Sequence, residues 1–341
     1  MKKLYALLLS MVLILSLTAC SGDKKEEAKK EEAPKETENE TVTFDRDINV
    51  YTLMGPTGIG MAKLMDDNEK DASSLKYNFT VASAPDQISS QVIKGDYDIA
   101  ALPVNLASVL FNKTKGNLYV AGVNTLGVLY ILENGDSIQS MEDLKGTTLY
   151  ATGQGSTPEY VLSYLLEKNN LTPGKDVKVE YLTEHAELAT KMTSSDISLG
   201  MLPEPNVTST LLGNKDVRVA LDLTKEWSKV SDADMVQGVI VINKTFADEN
   251  PDVVKEFLKE YNSSVEFVKS NVDEAATMCE TAGIVPKAAI AKKAIPNCNL
   301  TLVTGTEMKD MVGNMLKVLS DANPASVGGK LPSDDFYLLT E

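Results

Sequence analysis

The chain has 341 residues, 43% hydrophobic and 24% charged, a globular composition above the usual single-core size that predicts one large or two linked domains. Lys and Arg number 33 against 49 Asp and Glu, a formal charge of −16 with no basic stripe, which excludes nucleic acid as a partner. One histidine, His185, and three cysteines without CxxC spacing, Cys20, Cys279 and Cys298, cannot build a His-rich or Cys-rich zinc site, so no metal is expected.

Residues 1–19 open with Lys2-Lys3, run apolar from Leu4 to Leu17 and end in the small pair Thr18-Ala19, the pattern of a signal peptide. The run is too short and wrongly flanked for a dedicated membrane span. Leu17-Thr18-Ala19-Cys20 resembles the bacterial lipobox, which implies that Cys20 is diacylated and becomes the mature N-terminus. Two acyl chains hold a protein at a membrane where one does not. From Ser21 to about Thr41 the chain is almost free of apolar residues, so residues 20–41 read as a lipidated N-terminus and a flexible, charged tether. With Cys20 assigned to the anchor, Cys279 and Cys298 remain as an even pair in an exported chain. A disulfide between them is chemically permitted, and two buried thiols are the alternative.

Residues 48–53 read as a strand, 54–60 as a Gly-rich turn, and a helix starts at Ile59 with Ala62 and Met65 on its apolar face. Ile88, Val92 and Ile93 mark a helix closed by Gly95. Residues 98–102 form a strand that runs into Pro103 and a helix around Leu106, Val109 and Leu110, and apolar strands follow at 118–123 and 127–132. The order then returns: a strand at 147–151, the turn TGQGSTP, a helix face of Val161, Leu162, Leu165 and Leu166, a strand at 177–182, and another at 197–201 leading into Leu202-Pro203. Gly55 to Pro103 spans 48 positions and Gly153 to Pro203 spans 50, and Asp98-Ile99 and Asn105 find counterparts in Asp196-Ile197 and Asn206. This is an internal repeat. The tail reads as a strand at 238–243 and two long helices, one with Asn250 as N-cap and Pro251 at its first position, the other capped by Thr306 with Met308, Met311, Val312, Met315, Leu316 and Leu319 inward.

Two similar α/β units joined by extended segments predict two lobes, each a central sheet flanked by helices, with ligand beyond the carboxyl ends of the strands. The two turns are the first candidates: Gly55, Pro56, Thr57 and Gly58 in one half, and Gly153, Gln154, Gly155, Ser156 and Thr157 in the other. Ser156 and Glu159 fit a capping box, Thr157 before Pro158 is an equal cap, and either choice leaves amides that attract an anionic or strongly accepting group. Neither turn is a nucleotide loop, because the Walker Lys-Ser/Thr is missing and the glycine spacing is not a dinucleotide fingerprint; no cofactor is expected.

Pro103 and Asn105, with Pro203 and Glu204, occupy matching helix starts, and Glu204 is placed either to fix an ammonium or ring N–H or to favour its own helix. Tyr130 lies near the loops and offers a ring for stacking, with core packing as the alternative. His185 follows the strand at 177–182 and reads as a surface-loop residue, with a place at the cleft as the alternative. Arginine occurs only at Arg46 and Arg218, outside the candidate loops. A site without a guanidinium clamp suits amino acids and dicarboxylates poorly and suits one diffuse negative group or a neutral heterocycle better.

Four segments in order, GDYDIAALPVN from Gly95, MEDLKGTTLYATGQGSTPEYVL from Met141, GMLPEP from Gly200 and KTFADENPDVVKEFL from Lys244, resemble the solute-binding proteins of nitrate, taurine and alkanesulfonate importers and of thiamine-pyrimidine-precursor importers. The resemblance implies a type II periplasmic-binding-protein fold with two hinge crossings, near 126–129 and 235–238. Lobe I would comprise 42–127 plus 237–341, and lobe II 128–236. It also implies a monomer on the extracytoplasmic face of the cell membrane that closes on a small solute and is recognised, closed, by the permease and ATPase of an ABC importer. One departure is SSDISLG, which stands before the second Leu-Pro pair where the family has Gly-Asp. The rival readings are a surface-anchored enzyme of the same fold acting on a small heterocyclic precursor, and a sensory or adhesion lipoprotein. No Ser/His/Asp order or Cys/His arrangement supports catalysis.

Overall fold

Strands and helices alternate along the chain in the computed structural model, which describes residue 42 and residues 44–339. The signal segment, Cys20 and residues 20–41 of the tether lie outside the described residues. The first half runs β1 (Ile48–Leu53), α1 (Pro56–Ile59), α2 (Ala62–Glu69), β2 (Tyr77–Ala82), α3 (Pro85–Lys94), β3 (Ile99–Pro103), α4 (Val104–Lys113) and β4 (Leu118–Thr125). The middle runs β5 (Leu129–Asn134), β6 (Thr148–Ala151), α5 (Thr157–Lys168), β7 (Lys178–Tyr181), α6 (His185–Thr193), β8 (Leu199–Pro203), α7 (Asn206–Gly213), β9 (Val217–Asp222) and α8 (Leu223–Ser228). The tail adds β10 (Gly238–Asn243), α9 (Lys244–Glu249), α10 (Pro251–Ser270), α11 (Val272–Thr281), α12 (Ala288–Ala294), β11 (Leu300–Val303) and α13 (Gly305–Ala322).

The repeat in the sequence is a repeat in topology. One sheet has the order β11-β4-β10-β3-β1-β2 and the other β9-β5-β8-β6-β7. In the first, β1 lies parallel between β2 and β3; in the second, β6 lies parallel between β7 and β8. Each parallel trio is joined by a strand from across a crossing: β10 runs antiparallel to β3 with Gly238 opposite Pro103, and β5 runs antiparallel to β8 with Leu129 opposite Pro203. All six residues of β10 are buried, as a continuous apolar run in mid-sheet requires. The fold is thus α/β and two-lobed.

The crossings lie side by side. Gln237 N–H donates to Thr125 O at 3.0 Å, Val104 N–H to Gln237 O at 3.1 Å, and Leu126 N–H to Asn299 O at 3.1 Å. A Cβ on Gly127 would stand 2.1 Å from Thr224 Oγ1, so only glycine lets the first crossing pass the start of α8.

Around the first sheet, α10 presents Val254, Phe257, Tyr261 and Val265 to one face. On the other face α13 packs Met308, Val312, Met315 and Leu316 into a core shared with Leu110 and Phe111 of α4. Burying each such side chain is worth roughly 1.5–3 kcal/mol, which is why these two long helices fix the sheet between them. Two expectations for the tail are corrected. The N-cap of α13 is Thr304, because Gly305 takes the first helical position with φ 64°, and α11, α12 and β11 stand between the two long helices. Among the described residues no helix is long and apolar enough to cross a membrane.

Candidate functional site

The carboxyl ends of β1, β3, β7 and β8, with the loop after β6, border one cleft of about 650 Å³. From the first sheet it takes Gly55, Pro56, Thr57 and Pro103; from the second it takes Gly153, Gln154, Gly155, Ser156, Thr157, Pro203 and Glu204. Thr125 and Gln237 of the crossings also border it. So do two helix starts that sequence reasoning passed over, Ser83 to Asp86 at α3 and Thr183 to Ala186 at α6.

Three candidates lie elsewhere. A Cβ on Gly58 would stand 2.5 Å from Leu53 O and 3.0 Å from Ile284, so this glycine serves close packing beneath the turn. Asn105 is 1% exposed, and its side chain ties three segments together. Its Nδ2 donates to Ser326 O at 3.2 Å and reaches Gly155 O at 3.5 Å, while its Oδ1 accepts from Thr157 Oγ1 at 3.0 Å. The amide therefore bridges α4, the C-terminal segment and α5. Tyr130 takes the packing alternative: half-buried on β5, it lies against Leu132, Leu188 and Met192, and burial, reinforced by Asp222 and Glu204, pushes its phenol up to about 12.

The turn before α5 is less open to an anion than its sequence suggests. Ser156 is the N-cap but makes no side-chain cap, and Glu159 reaches past it so that its Oε2 accepts from Gly155 N–H at 2.5 Å. The N–H of Ser156 turns to Gly153 O, that of Glu159 turns to Ser156 O, and Pro158 has none. The Thr157 hydroxyl goes to Asn105. Much of the donor capacity of this helix start is spent inside the protein.

No Lys or Arg borders the cleft. Arg46 holds Asp98 with bonds of 2.7 and 2.8 Å, and Arg218 holds Glu133 at 2.7 Å. The ionisable groups at the cleft are Asp86, Glu184, Glu204, His185 and the phenol of Tyr181. Glu204 is 2% exposed. Thr208 N–H and hydroxyl donate to it at 3.1 and 3.0 Å, and Asn297 Nδ2 at 3.5 Å. Burial outweighs these bonds and raises its pKa above the usual carboxylate range. His185 is not the loop residue expected but the first residue of α6; its Nδ1 lies 2.6 Å from Thr152 Oγ1, and burial pushes the imidazole down to about 4, so it is neutral near pH 7. At the crossings Thr125 Oγ1, Gln237 Nε2, Thr224 Oγ1 and both amide atoms of Asn124 are buried without a hydrogen-bond partner, and of these residues Thr125 and Gln237 border the cleft.

The permitted disulfide is not formed. Cys279 and Cys298 are buried free thiols in the core behind the first sheet, Cys298 Sγ donating to Ala294 O at 3.2 Å. Burial pushes the Cys279 thiol up to about 12. Among the described residues no cluster of three or more His, Cys, Asp or Glu could hold a metal ion.

Two repeated α/β lobes, two adjacent crossings and a cleft at the strand ends define a periplasmic-type solute-binding protein. Residues 70–287 match the family described as the periplasmic substrate-binding protein of phosphonate ABC transporters, and the chain belongs to that family. The fold is similar to that of an ABC transporter protein from Parabacteroides distasonis, with a TM-score of 0.72 and 24% identity over 87% of this chain and 100% of that one. It is similar also to the periplasmic aliphatic sulphonate binding protein of Escherichia coli, at 0.68 and 16% over 87% and 94%. The alkanesulfonate-binding protein of Xanthomonas axonopodis pv. citri, bound to MOPS, gives 0.66 and 14% over 86% and 96%. No curated protein matches the chain by sequence.

Proposed function

We propose that this chain is a lipid-anchored solute receptor, held at the extracytoplasmic face of the membrane through Cys20, that closes its lobes on a small organic molecule and presents it to an ABC permease. The observation that carries this reading is the cleft of about 650 Å³ bordered by strand ends of both sheets, a volume within the range of small-molecule sites. The residues proposed to meet the solute are those of the two turns at 55–57 and 153–157, with Pro103, Pro203 and Glu204. The lobes are proposed to divide between 127 and 128 and between 236 and 237, where the chain passes from one sheet to the other. The family to which the chain belongs is one of substrate-binding transport proteins, which favours a binder over an enzyme, and the receptor is proposed to act as a monomer.

The reading is tested by native mass spectrometry of the full-length chain released in mild detergent. One small molecule bound per chain, with none of it converted during incubation, is the expected result; turnover of the bound molecule would make the protein an enzyme. Cys20→Ser should move the protein from the membrane fraction to the soluble one, and retention in the membrane would remove the anchor from the proposal.

A further inference from the structure

The charge and the unmet hydrogen bonds of the cleft restrict its ligand more narrowly than family membership does. Its deepest ionisable group is Glu204, buried and surrounded only by the neutral donors Thr208 and Asn297. Two more carboxylates, Asp86 and Glu184, stand exposed at its margins on opposite sheets, each at the start of a helix. None of the three is ion-paired with a described residue, and the two arginines of the chain are bound to Asp98 and Glu133. A sulfonate, nitrate or phosphonate in this cleft would meet three carboxylates and no cation, and Glu159 takes up the Gly155 N–H at the start of α5.

An independent observation points to what does fit. Gln237 is 8% exposed and Thr125 2%, both border the cleft, and Gln237 Nε2 and Thr125 Oγ1 have no partner inside the protein. A buried amide donor left without an acceptor costs free energy unless a ligand supplies one. The cleft thus offers an acceptor, Glu204, and a donor, Gln237, both out of water.

Resting on the cleft reading above, we infer that the ligand is a neutral or cationic nitrogen base, an N-heterocycle or amidine whose N–H groups donate to Glu204 and whose acceptor edge takes Gln237 Nε2. The carboxylate then receives the hydrogen that its neutral neighbours do not supply, and the exposed pair Asp86 and Glu184 attracts a cationic form on approach. Selection against anions follows from the same groups, because rejecting a ligand requires only an unpaired like charge in the closed cleft.

The test is titration calorimetry of the full-length chain in detergent with five probes: 4-aminopyrimidine and benzamidine as nitrogen bases, and methylphosphonate, methanesulfonate and nitrate as anions. At least one nitrogen base should bind more tightly than every anion. Glu204→Gln, which keeps the shape of the side chain, should weaken that base about tenfold or more, the scale of one hydrogen bond to a charged group, without lowering the melting temperature below that of the parent. Gln237→Met should weaken it as well and keeps the backbone bonds of the crossing. Tighter binding of an anion, or nitrogen-base binding indifferent to both variants, overturns the ligand class and leaves the cleft reading standing. Failure of all five probes to bind, with no molecule carried through purification, overturns both.

Discussion

Among the described residues three carboxylates are almost fully buried, and they are treated in two different ways. Asp98 and Glu133, each 6% exposed, are gripped by Arg46 and Arg218 and also accept backbone N–H groups, Asn49 for the first and Ser137 and Ile138 for the second. Glu204, at 2% exposure, has no cation within reach. Where the fold needs a buried charge only to hold strands and loops in place, it supplies a guanidinium; at the cleft it withholds one. Burying an uncompensated carboxylate is costly, and removing one partner of a buried pair is costly for the same reason. The difference separates groups that serve the scaffold from the group left open to a ligand.

The contrast is broken most severely by Asp98→Ala. Arg46 is half-exposed and can rehydrate, but the Asn49 N–H loses its acceptor, and the folded state should lose about 2 kcal/mol in urea denaturation. Glu204→Gln should behave oppositely. A carboxylate whose folded pKa is raised contributes stability below its unfolded value and loses it as pH rises through the folded one, so parent stability relative to the variant falls as pH rises from the free-glutamate range through the raised folded value. Urea midpoints of the two proteins across that range should diverge in favour of Glu204→Gln, by less than the Asp98→Ala loss. A gap that closes with rising pH would mean that Glu204 is held by a charge as the other two are. Smallest is Thr157→Val, which deletes only the hydroxyl bond to Asn105 between α5 and α4. It should cost the closed arrangement about 0.5–1.5 kcal/mol and weaken solute binding up to about tenfold without lowering the melting temperature by more than a few degrees.

Much of this architecture is legible in the residues, because its strongest signals are local. The runs INVYTL and GVIVIN are strands to the residue, and the paired Leu-Pro steps at 102–103 and 202–203 end equivalent strands, β3 and β8. What escapes is what depends on partners far along the chain. β2 alternates weakly because it is the edge strand beside β1, and α11 (VDEAATMCET) and α12 (AAIAKKA) are Ala-rich with few large apolar residues. Asn105 has the composition of a ligand contact, yet its bonds go to Ser326, 221 residues away, and to Thr157. Gln237 has no motif around it; only the adjacency of the two crossings brings it to the cleft. His185 resembled a loop residue because the helix it begins has Glu184 as N-cap, a residue that provides no side-chain cap there. Gly58 and Gly55 look alike in sequence, and the neighbours Leu53 and Ile284 assign one of them to packing.

Capture of solute between the lobes is tested most directly by hydrogen exchange of the full-length chain, with and without the tightest-binding of the five probes. Closure on a ligand should slow exchange together in peptides covering 53–57 and 237–238 of the first sheet and 153–157 and 203–206 of the second, with the outer strands β2 and β9 unchanged. Protection confined to the peptides of one sheet, or spread evenly over the chain, would contradict a cleft that binds by closing from both sides.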